Sequence, residues 1–395
     1  MQLIINEIEN RNNFEPFSNL HLVCELRCGI LRLFEKIESY FNDCNIVYHC
    51  DNELLLDSFL KRENKKKNIK ENIPTLILNS NVLIDGASYN EIKNIIDDAS
   101  YNTIIYNNKK DIVGYYFSNF QTSDFKNNDA NEYKQVSMKN ICVLNYIWDI
   151  FNIIGQNIEN DWKHCLNKQN FNEHNTPNLF VNPTAKINNG VHFDTTNGTI
   201  IIDKAVEMYP LSFIEGPCYV GPNTIIKAGT QIYKNCTFGP YCKASGELAN
   251  TIFQGYSNKQ HSGFIGHSFI SEWVNLGAGT TSSDLKNNYS NIIMQLSDKK
   301  IETGKRFIGS LIGDHSKTAI NTSLNTGTII GVFSNVAKSG LTDKYIPPFS
   351  WLSDKGIEKY NLQKAILTAC VVMNRRNKEL TFEEKELISG CFINK

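Results

Sequence analysis

The stretch IIDKAVEMYPLSFIEGPCYVGPNTIIKAGTQIYKNCTFG, residues 201–239, carries an apolar side chain at every sixth position: Ile202, Met208, Ile214, Val220, Ile226, Ile232 and Phe238. A helix repeats every 3.6 residues and a flat strand every 2, so neither yields seven successive matches at six. Glycine follows directly at Gly221 and Gly239. A repeat of six is the mark of a parallel β-helix, in which each rung turns one side chain inward and three rungs close a triangular coil. No rung is stable alone, because its apolar side chain is buried only by the coils above and below. After an irregular middle the spacing resumes at Ile312, Leu324, Ile330 and Val336, with Thr318 in one slot and Gly313 and Gly331 following. The middle holds GYSNKQHSGFIGHSF, residues 255–269, with two histidines and a lysine among glycines and serines. A regular scaffold interrupted in this way presents either a solvated loop or a site.

The 395 residues exceed one ordinary core. Three regions are expected: a mixed α/β domain over 1–175, the β-helix over 176–343, and a helical tail over 344–395. In the first, strand-like runs (LIINEI, NIVYHC, TLILN, TIIYNN, IVGYYF) alternate with helical segments, the pattern of a sheet with helices packed on it. LRCGILRLFEKIESYF is expected to be one helix, with Ile30, Leu31, Leu33, Phe34 and Ile37 on its apolar face, and VLNYIWDIFNIIGQNIENDW another, closing the domain. The basic run KRENKKKNIK, residues 61–70, is either a phosphate contact or a solvated face. In the tail, TFEEKELI opens with the Thr-x-x-Glu of a capping box, and the tail is expected to cap the solenoid's end.

Apolar content of 41% and charged content of 21% describe a soluble globular chain. With 40 basic and 41 acidic residues and no basic stripe, nucleic acid is not an expected partner. No apolar run approaches the roughly 20 residues that span a bilayer, so no membrane partner is expected. The first ten residues lack the features of a signal peptide. The eleven cysteines contain no CxxC pair, which suits reduced thiols in a cytoplasmic protein.

The segment SNKQHSGFIGHSFISEWVNLGAGTTSSDLKNNY resembles the acetyltransferase half of the bifunctional enzymes that make UDP-N-acetylglucosamine. Together with ELRCGIL, FDTTNGTIIID, GPYCKASGE, IGDHSK, NTGTIIGV and FSW it is similar to an alternative, GlmU-like branch of that family. The resemblance implies a left-handed β-helix, although crossovers are ordinarily right-handed. It also implies a homotrimer with sites between subunits, acetyl-CoA as acyl donor, a sugar 1-phosphate acceptor, and a nucleoside triphosphate handled by the N-terminal domain.

Carried over position by position, the resemblance makes His261 the general base, since an imidazole accepts protons near neutral pH. Asn275, fourteen residues on and opening the NLGAG rung, anchors substrate or histidine, or simply stacks in the solenoid. Phe264 stands where relatives carry tyrosine, and Asp284 where they carry a sugar-contacting asparagine. Lys243, Lys259 and Lys286 are candidates to hold a sugar phosphate, or are solvated. Gly277, Gly279 and Gly331 admit close approach of backbone or ligand, and the resemblance makes Gly277, Ala278 and Gly279 the candidates to hold coenzyme A. His267 and His315 belong to core packing or a subunit contact.

In the N-terminal domain the glycine-rich phosphate loop usual in nucleotidyltransferases is missing. FEPFSNLHLVCELRCGIL instead resembles the alternative branch at Pro16, Glu25, Arg27 and Gly29, while His21 and Leu22 replace its Arg-Pro. Arg27 then meets phosphate or forms an ordinary salt bridge. LILNSNVLID resembles the strand that ends in a Mg²⁺-ligating aspartate; Asn81 takes that position, with Asp85 nearby as the substitute ligand.

Overall fold

Residues 1–98, 101–125, 133–297 and 299–394 are described in the computed structural model of the chain. The N-terminal region is built on a six-stranded sheet in the order Asn45–His49, Gln2–Asn6, Thr75–Asn79, Ile112–Phe117, Thr103–Asn107, Lys134–Met138. The first three strands are parallel, and Ile112–Phe117 is antiparallel to both its neighbours. The run Leu3, Ile4, Ile5 is buried on both sides: Ile4 packs with Val47, Ile77 and Phe117 on one face, Leu3 and Ile5 with Leu76 and Leu78 on the other. Helices α1 (Leu33–Tyr40), α2 (Glu53–Arg62), α3 (Gly86–Asp97) and α4 (Ile154–His164) complete the layers.

Two helix boundaries differ from the sequence reading. The helix expected from residue 26 begins only at Leu33. Residues 26–32 instead form a turn in which Gly29 takes φ +85° and the Ile30 and Leu31 N–H groups donate to Asp161 of α4. Along the second segment a 3-10 turn, Ile147–Asn152, precedes α4.

From Leu179 the chain winds into a left-handed parallel β-helix of triangular section. On its first face the inward column is Ile202, Val220, Phe238, Phe253, Ile270, Ile312, Ile330 and Ile346, each in register with the next. On the second it includes Met208, Ile226, Ala244, Lys259 and Leu276. On the third it is Phe193, Ile214, Ile232, Leu248 and Ile265. The middle looked irregular because the coil from Phe238 to Phe253 spans 15 residues, not 18. The coil from Ile270 to Ile312 also carries a long insertion with a hairpin, Ile293–Gln295 with Lys300–Glu302. Thr318 fills its inward slot by pairing its hydroxyl with that of Thr280 at 2.7 Å, the partner a buried hydroxyl requires.

The corners carry the fold's second signal. Three residues after each inward side chain of the first face the backbone is left-handed, at Ala205, Asn223, Tyr241, Tyr256, Trp273, His315, Phe333 and Phe349, with φ from +53° to +61°. That conformation is disfavoured for residues with a Cβ. The last six are rings stacked coil on coil, with centroids 4.3 to 6.0 Å apart. Such pairs are worth about 0.5–1.5 kcal/mol each beyond burial, which offsets part of a backbone cost of about 1–2 kcal/mol per residue. At the corner between the second and third faces the same role falls mostly to glycine, at Gly190, Gly229, Gly246, Gly263 and Gly279, with Leu211 and Asn321 on two other coils.

The first face is apolar on its outer side as well, because the N-terminal region sits on it. Ile201, Tyr219, Ile252, Phe269, Leu311 and Ile329 share one core with Phe14, Phe17, Leu26, Trp148, Ile154 and Ile158. The insertion adds Ile292, Met294, Leu296 and Ile308 to that core. The last coil runs through Tyr345–Ile346 and Ser350–Ser353, so the solenoid continues past residue 344, where the tail was expected. Helices α5 (Leu362–Asn374) and α6 (Phe382–Asn394) follow. The capping box forms: Thr381 N–H donates to Glu384, and Glu384 N–H to the Thr381 hydroxyl. The tail does more than cap the solenoid's end. Ala369, Met373, Leu387 and Ile388 join Leu55 and Phe59 of α2 in a shared core, while Phe392 meets the last ring of the aromatic corner, Phe349, whose carbonyl accepts the Tyr360 N–H.

Candidate functional site

His261 stands at the glycine corner between the second and third faces, exposed to solvent. Its imidazole has no hydrogen-bond or ion-pair partner among the described residues. What fixes its backbone is Lys259. That residue occupies an inward slot between Ala244 and Leu276, a place the repeat reserves for an aliphatic side chain. It is 0% exposed. Its Nζ curls to the corner and donates to the carbonyls of His261, at 2.7 Å, and Ser262, at 2.9 Å. Gly246, at φ +85°, abuts this corner: a Cβ there would lie 2.4 Å from Gly263 O and 3.2 Å from the ammonium. Burial holds the Lys259 ammonium down to about 8. The expectation that Lys259 grips a sugar phosphate is therefore corrected: its charge is spent on main-chain carbonyls.

Phe264 follows on the third face, half-buried, and its N–H donates to Thr281 Oγ1. Its ring and the Asp284 carboxylate both flank Gly266, where a Cβ would lie 2.5 Å from the first and 2.4 Å from the second. Asp284 accepts from His267 Nδ1 at 2.8 Å, and Phe307 stacks on that imidazole at 5.1 Å. The role left open for His267 is thus to hold Asp284. Asn275 projects outward from the second face, in the column Lys243, Asn258, Asn275, and is exposed. Lys286 closes its own loop by donating to the Asn291 carbonyl at 2.6 Å. Gly277 and Gly279 have a structural reason: a Cβ would meet Ala319 O at 2.4 Å and Asn321 Oδ1 at 2.2 Å on the next coil. Ala278 accepts the Asn321 N–H at that junction. Gly331 likewise abuts Pro348. The structure brings Lys259, His261 and Phe264 to one corner; Lys243 lies at the other edge of the second face.

The N-terminal candidates are placed elsewhere and are engaged. Arg27 donates its Nε to Gln254 O and its Nη1 to Ile30 O, while its N–H and the Glu25 carbonyl bond the Gln254 amide. Gln254, which the repeat pattern gave no reason to single out, thus docks the loop on the solenoid. Gly29 packs on Asn157 and Asp161 of α4. Asp85 caps α3 by accepting the Ser88 N–H at 2.8 Å, and Asn81 donates to Leu144 O. These five residues do not form the phosphate and Mg²⁺ site expected of them. One neutral, buried Asn81 oxygen beside a helix cap is no cage for a hard dication.

Glu25 instead belongs to a buried charge network at the junction of all three regions. His21 donates to Asp314 at 3.0 Å and faces Glu25 at 3.3 Å, and Arg62 pairs with Glu25 at 2.7 Å and with Glu384 of α6. Burial opposes the charge on His21, but Asp314 and Glu25 hold it up at about 10. Burial likewise opposes ionised Glu25, which Arg62 and His21 nonetheless hold down to about 2. The ligand atoms of His21, Glu272 and Asp314 cluster within 4.8 Å. An imidazolium committed on both nitrogens is nevertheless not a metal ligand. His315, buried beside this network, is a rung of the aromatic corner, and burial pushes it down to about 3. The basic run is paired or solvated: Arg62 and Lys65 meet Glu25 and Glu38.

The chain joins an α/β nucleotidyltransferase-type sheet to a left-handed β-helix. Residues 3–170 match the sugar nucleotidyl transferase family, and parts of the chain are similar in sequence to bifunctional GlmU-like proteins. It is 29% identical over 153 residues to the bifunctional sugar-1-phosphate nucleotidylyltransferase/acetyltransferase of Sulfurisphaera tokodaii, covering 37% of each chain. It is 27% identical over 190 residues to the bifunctional protein GlmU of Methanococcus vannielii, covering 45% of this chain and 42% of that one. The chain thus spans less than half the length of these relatives. Among solved structures, the UDP-N-acetylglucosamine acyltransferase of Francisella novicida covers 52% of this chain at 13% identity and a TM-score of 0.21. No helix among the described residues is long and apolar enough to cross a membrane.

Proposed function

We propose that this chain is a sugar-nucleotide enzyme that transfers an acetyl group from acetyl-CoA to an amino-sugar 1-phosphate and couples the product to a nucleoside triphosphate. Its working regions are 1–175, 176–343 and 344–395, with the last coil drawing on the third. The observation that carries the acyl-transfer half is the His261 corner: an exposed imidazole on a backbone pinned from inside the prism by a buried ammonium. A general base must meet its substrate in a fixed place. Lys259 supplies the fixity, and the missing orienting partner is what a homotrimer would provide from a neighbouring subunit. In this reading His261 takes the proton as the amine attacks the thioester carbonyl, and Asn275 lies on the adjoining face to position substrate. Phe264 and Asp284 shape the acceptor pocket, and a carboxylate there favours an acceptor that donates hydrogen bonds. The protein is a cytoplasmic enzyme in this reading.

A second reading, a monofunctional acyltransferase whose N-terminal region only anchors the solenoid, is favoured by one observation. In doubly wound sheets ligands bind at the carboxyl ends of the parallel strands. Here that end opens on a cleft of about 470 Å³ lined by Glu7, Glu9, Asp111 and Asp124, with no lysine or arginine among its lining residues. Triphosphate brought there meets carboxylates and neutral amide and phenol groups, but no cation among the lining residues. The test is a mass-spectrometric assay of the purified protein with sugar 1-phosphates, acyl-CoAs and nucleoside triphosphates. Thiol release that His261→Ala abolishes supports acyl transfer at this corner, and thiol release unchanged in that variant refutes it. Pyrophosphate release that persists in His261→Ala supports the bifunctional reading, and its absence from wild type supports the second.

A further inference from the structure

The turn between α5 and α6 leans over the outer side of the solenoid's second face and encloses a concave pocket of about 420 Å³. One wall is the ladder of outward side chains Lys186, Glu207, Ile225 and Lys243, in register coil on coil. The other is Arg375 and Arg376 of the turn. None of the four cations pairs with a carboxylate among the described residues. Glu207 is the one carboxylate among the lining residues, leaving a net charge of three positive (four cations less one anion). The crowding registers on Lys243, whose ammonium is pushed below its ordinary value by burial, then by Arg376, Arg375 and Lys227.

Like charges gathered in a concavity repel one another unless a counter-charge arrives, and a concave wall concentrates their potential on whatever enters. The two arginines lie 132 or more residues beyond either lysine (Lys243 to Arg375), so the meeting of the two pairs is made by the tail's docking and not by a local charge run. The chain as a whole carries a net charge of −1, which excludes a general basic surface. We propose that this pocket binds a ligand bearing two or more linked phosphate groups, held by Lys186, Lys243, Arg375 and Arg376. Pyrophosphate oxygens match the net charge, and the guanidinium fork meets two phosphate oxygens at once where an ammonium meets one. The volume admits more than a single phosphate and lies in the range of small-molecule pockets. The pocket is at the aromatic-corner edge of the second face, whereas His261 is at the glycine-corner edge of the next rung. It therefore stands whether or not His261 is the catalytic base, and it moves Lys243 from the acceptor site to this one.

Isothermal titration of the full chain with inorganic pyrophosphate and tripolyphosphate tests it. Saturable binding is expected, weakening as salt rises, and weakening at least ten-fold in Arg375→Gln/Arg376→Gln. Lys186→Gln, an exposed position with no packing role, is the second variant should the double one lose its circular dichroism. His261→Ala is expected to bind pyrophosphate as wild type does. Absence of saturable binding to wild type, equal affinity in the arginine and lysine variants, or loss of binding in His261→Ala would each overturn the proposal. Displacement by coenzyme A alone assigns the pocket to an acyl donor's diphosphate; displacement by a nucleoside triphosphate alone assigns it to a nucleotide.

Discussion

Replacing Lys259 by methionine separates the cost of its buried charge from the order it gives the His261 corner. Methionine matches the side chain's length without the ammonium and suits an inward slot. With the folded-state value held down to about 8 and an unfolded value near 10.4, the folded protein binds fewer protons than the unfolded chain between those limits. Stability contributed at this position is therefore complete above about pH 10.4 and is lost as pH falls through 8. At about 1.36 kcal/mol per unit of pKa, the loss from pH 10 to pH 7.5 is roughly 2.4 kcal/mol in wild type. In Lys259→Met that component vanishes, so the difference in unfolding free energy between the two proteins shifts by the same amount. Urea unfolding of both at pH 7.5, 8.5, 9.5 and 10 measures it, and other titrating groups cancel in the difference. Parallel curves would show that the ammonium is not buried as described. The variant is further expected to lower kcat more than it raises KM, because the His261 carbonyl loses its anchor while outward side chains are untouched.

Other expectations follow from the same geometry. His261→Ala should reduce coenzyme A release by about 10²- to 10⁴-fold, the range for a general base, with unchanged circular dichroism because the side chain is exposed. Asp314→Asn should cost about 3–5 kcal/mol by leaving charge unpaired in the buried network, read as a fall in the urea midpoint. His21 is raised in the folded state, so its stabilisation is complete below about pH 6.5 and is lost as pH rises toward 10. The variant should flatten that decline, and an unaltered pH profile would count against a charged His21. Gly239→Ala would set a Cβ 1.9 Å from the Gln254 carbonyl, a backbone atom that cannot yield locally. A loss of about 1–3 kcal/mol is expected, and a wild-type midpoint would contradict the coil spacing.

The prism was legible in the sequence because a six-residue spacing has one structural cause, and the inward columns follow it residue by residue. The doubly apolar strands also carried a message, since Ile200, Ile201 and Ile202 are all buried: a strand with no polar side has something on both sides. That the covering body is the chain's own N-terminal region depends on Gln254 and on loop 14–30, whose contacts span more than two hundred residues. Local pattern carries no trace of such pairs. Lys259 misled for a related reason. A lysine in a polar loop reads as solvated, and only the register placing it between Ala244 and Leu276 reveals that it points inward. Arg27 rests on its match to the resembled motif and Asp85 on its nearness to Asn81, but a guanidinium can bind carbonyls and a carboxylate can cap a helix as readily as either meets a ligand.

The shared core on the first face has a bearing on dissection. An excised solenoid starting near residue 176 would bare the row Ile201, Tyr219, Ile252, Phe269, Leu311 and Ile329 along its whole length, together with the insertion's Ile292 and Met294. Such a fragment would gather into aggregates before any activity could be measured on it, and the excised N-terminal half would lose the floor beneath Phe14, Phe17 and Trp148. Point substitutions in the intact chain are therefore the route by which its two halves can be told apart.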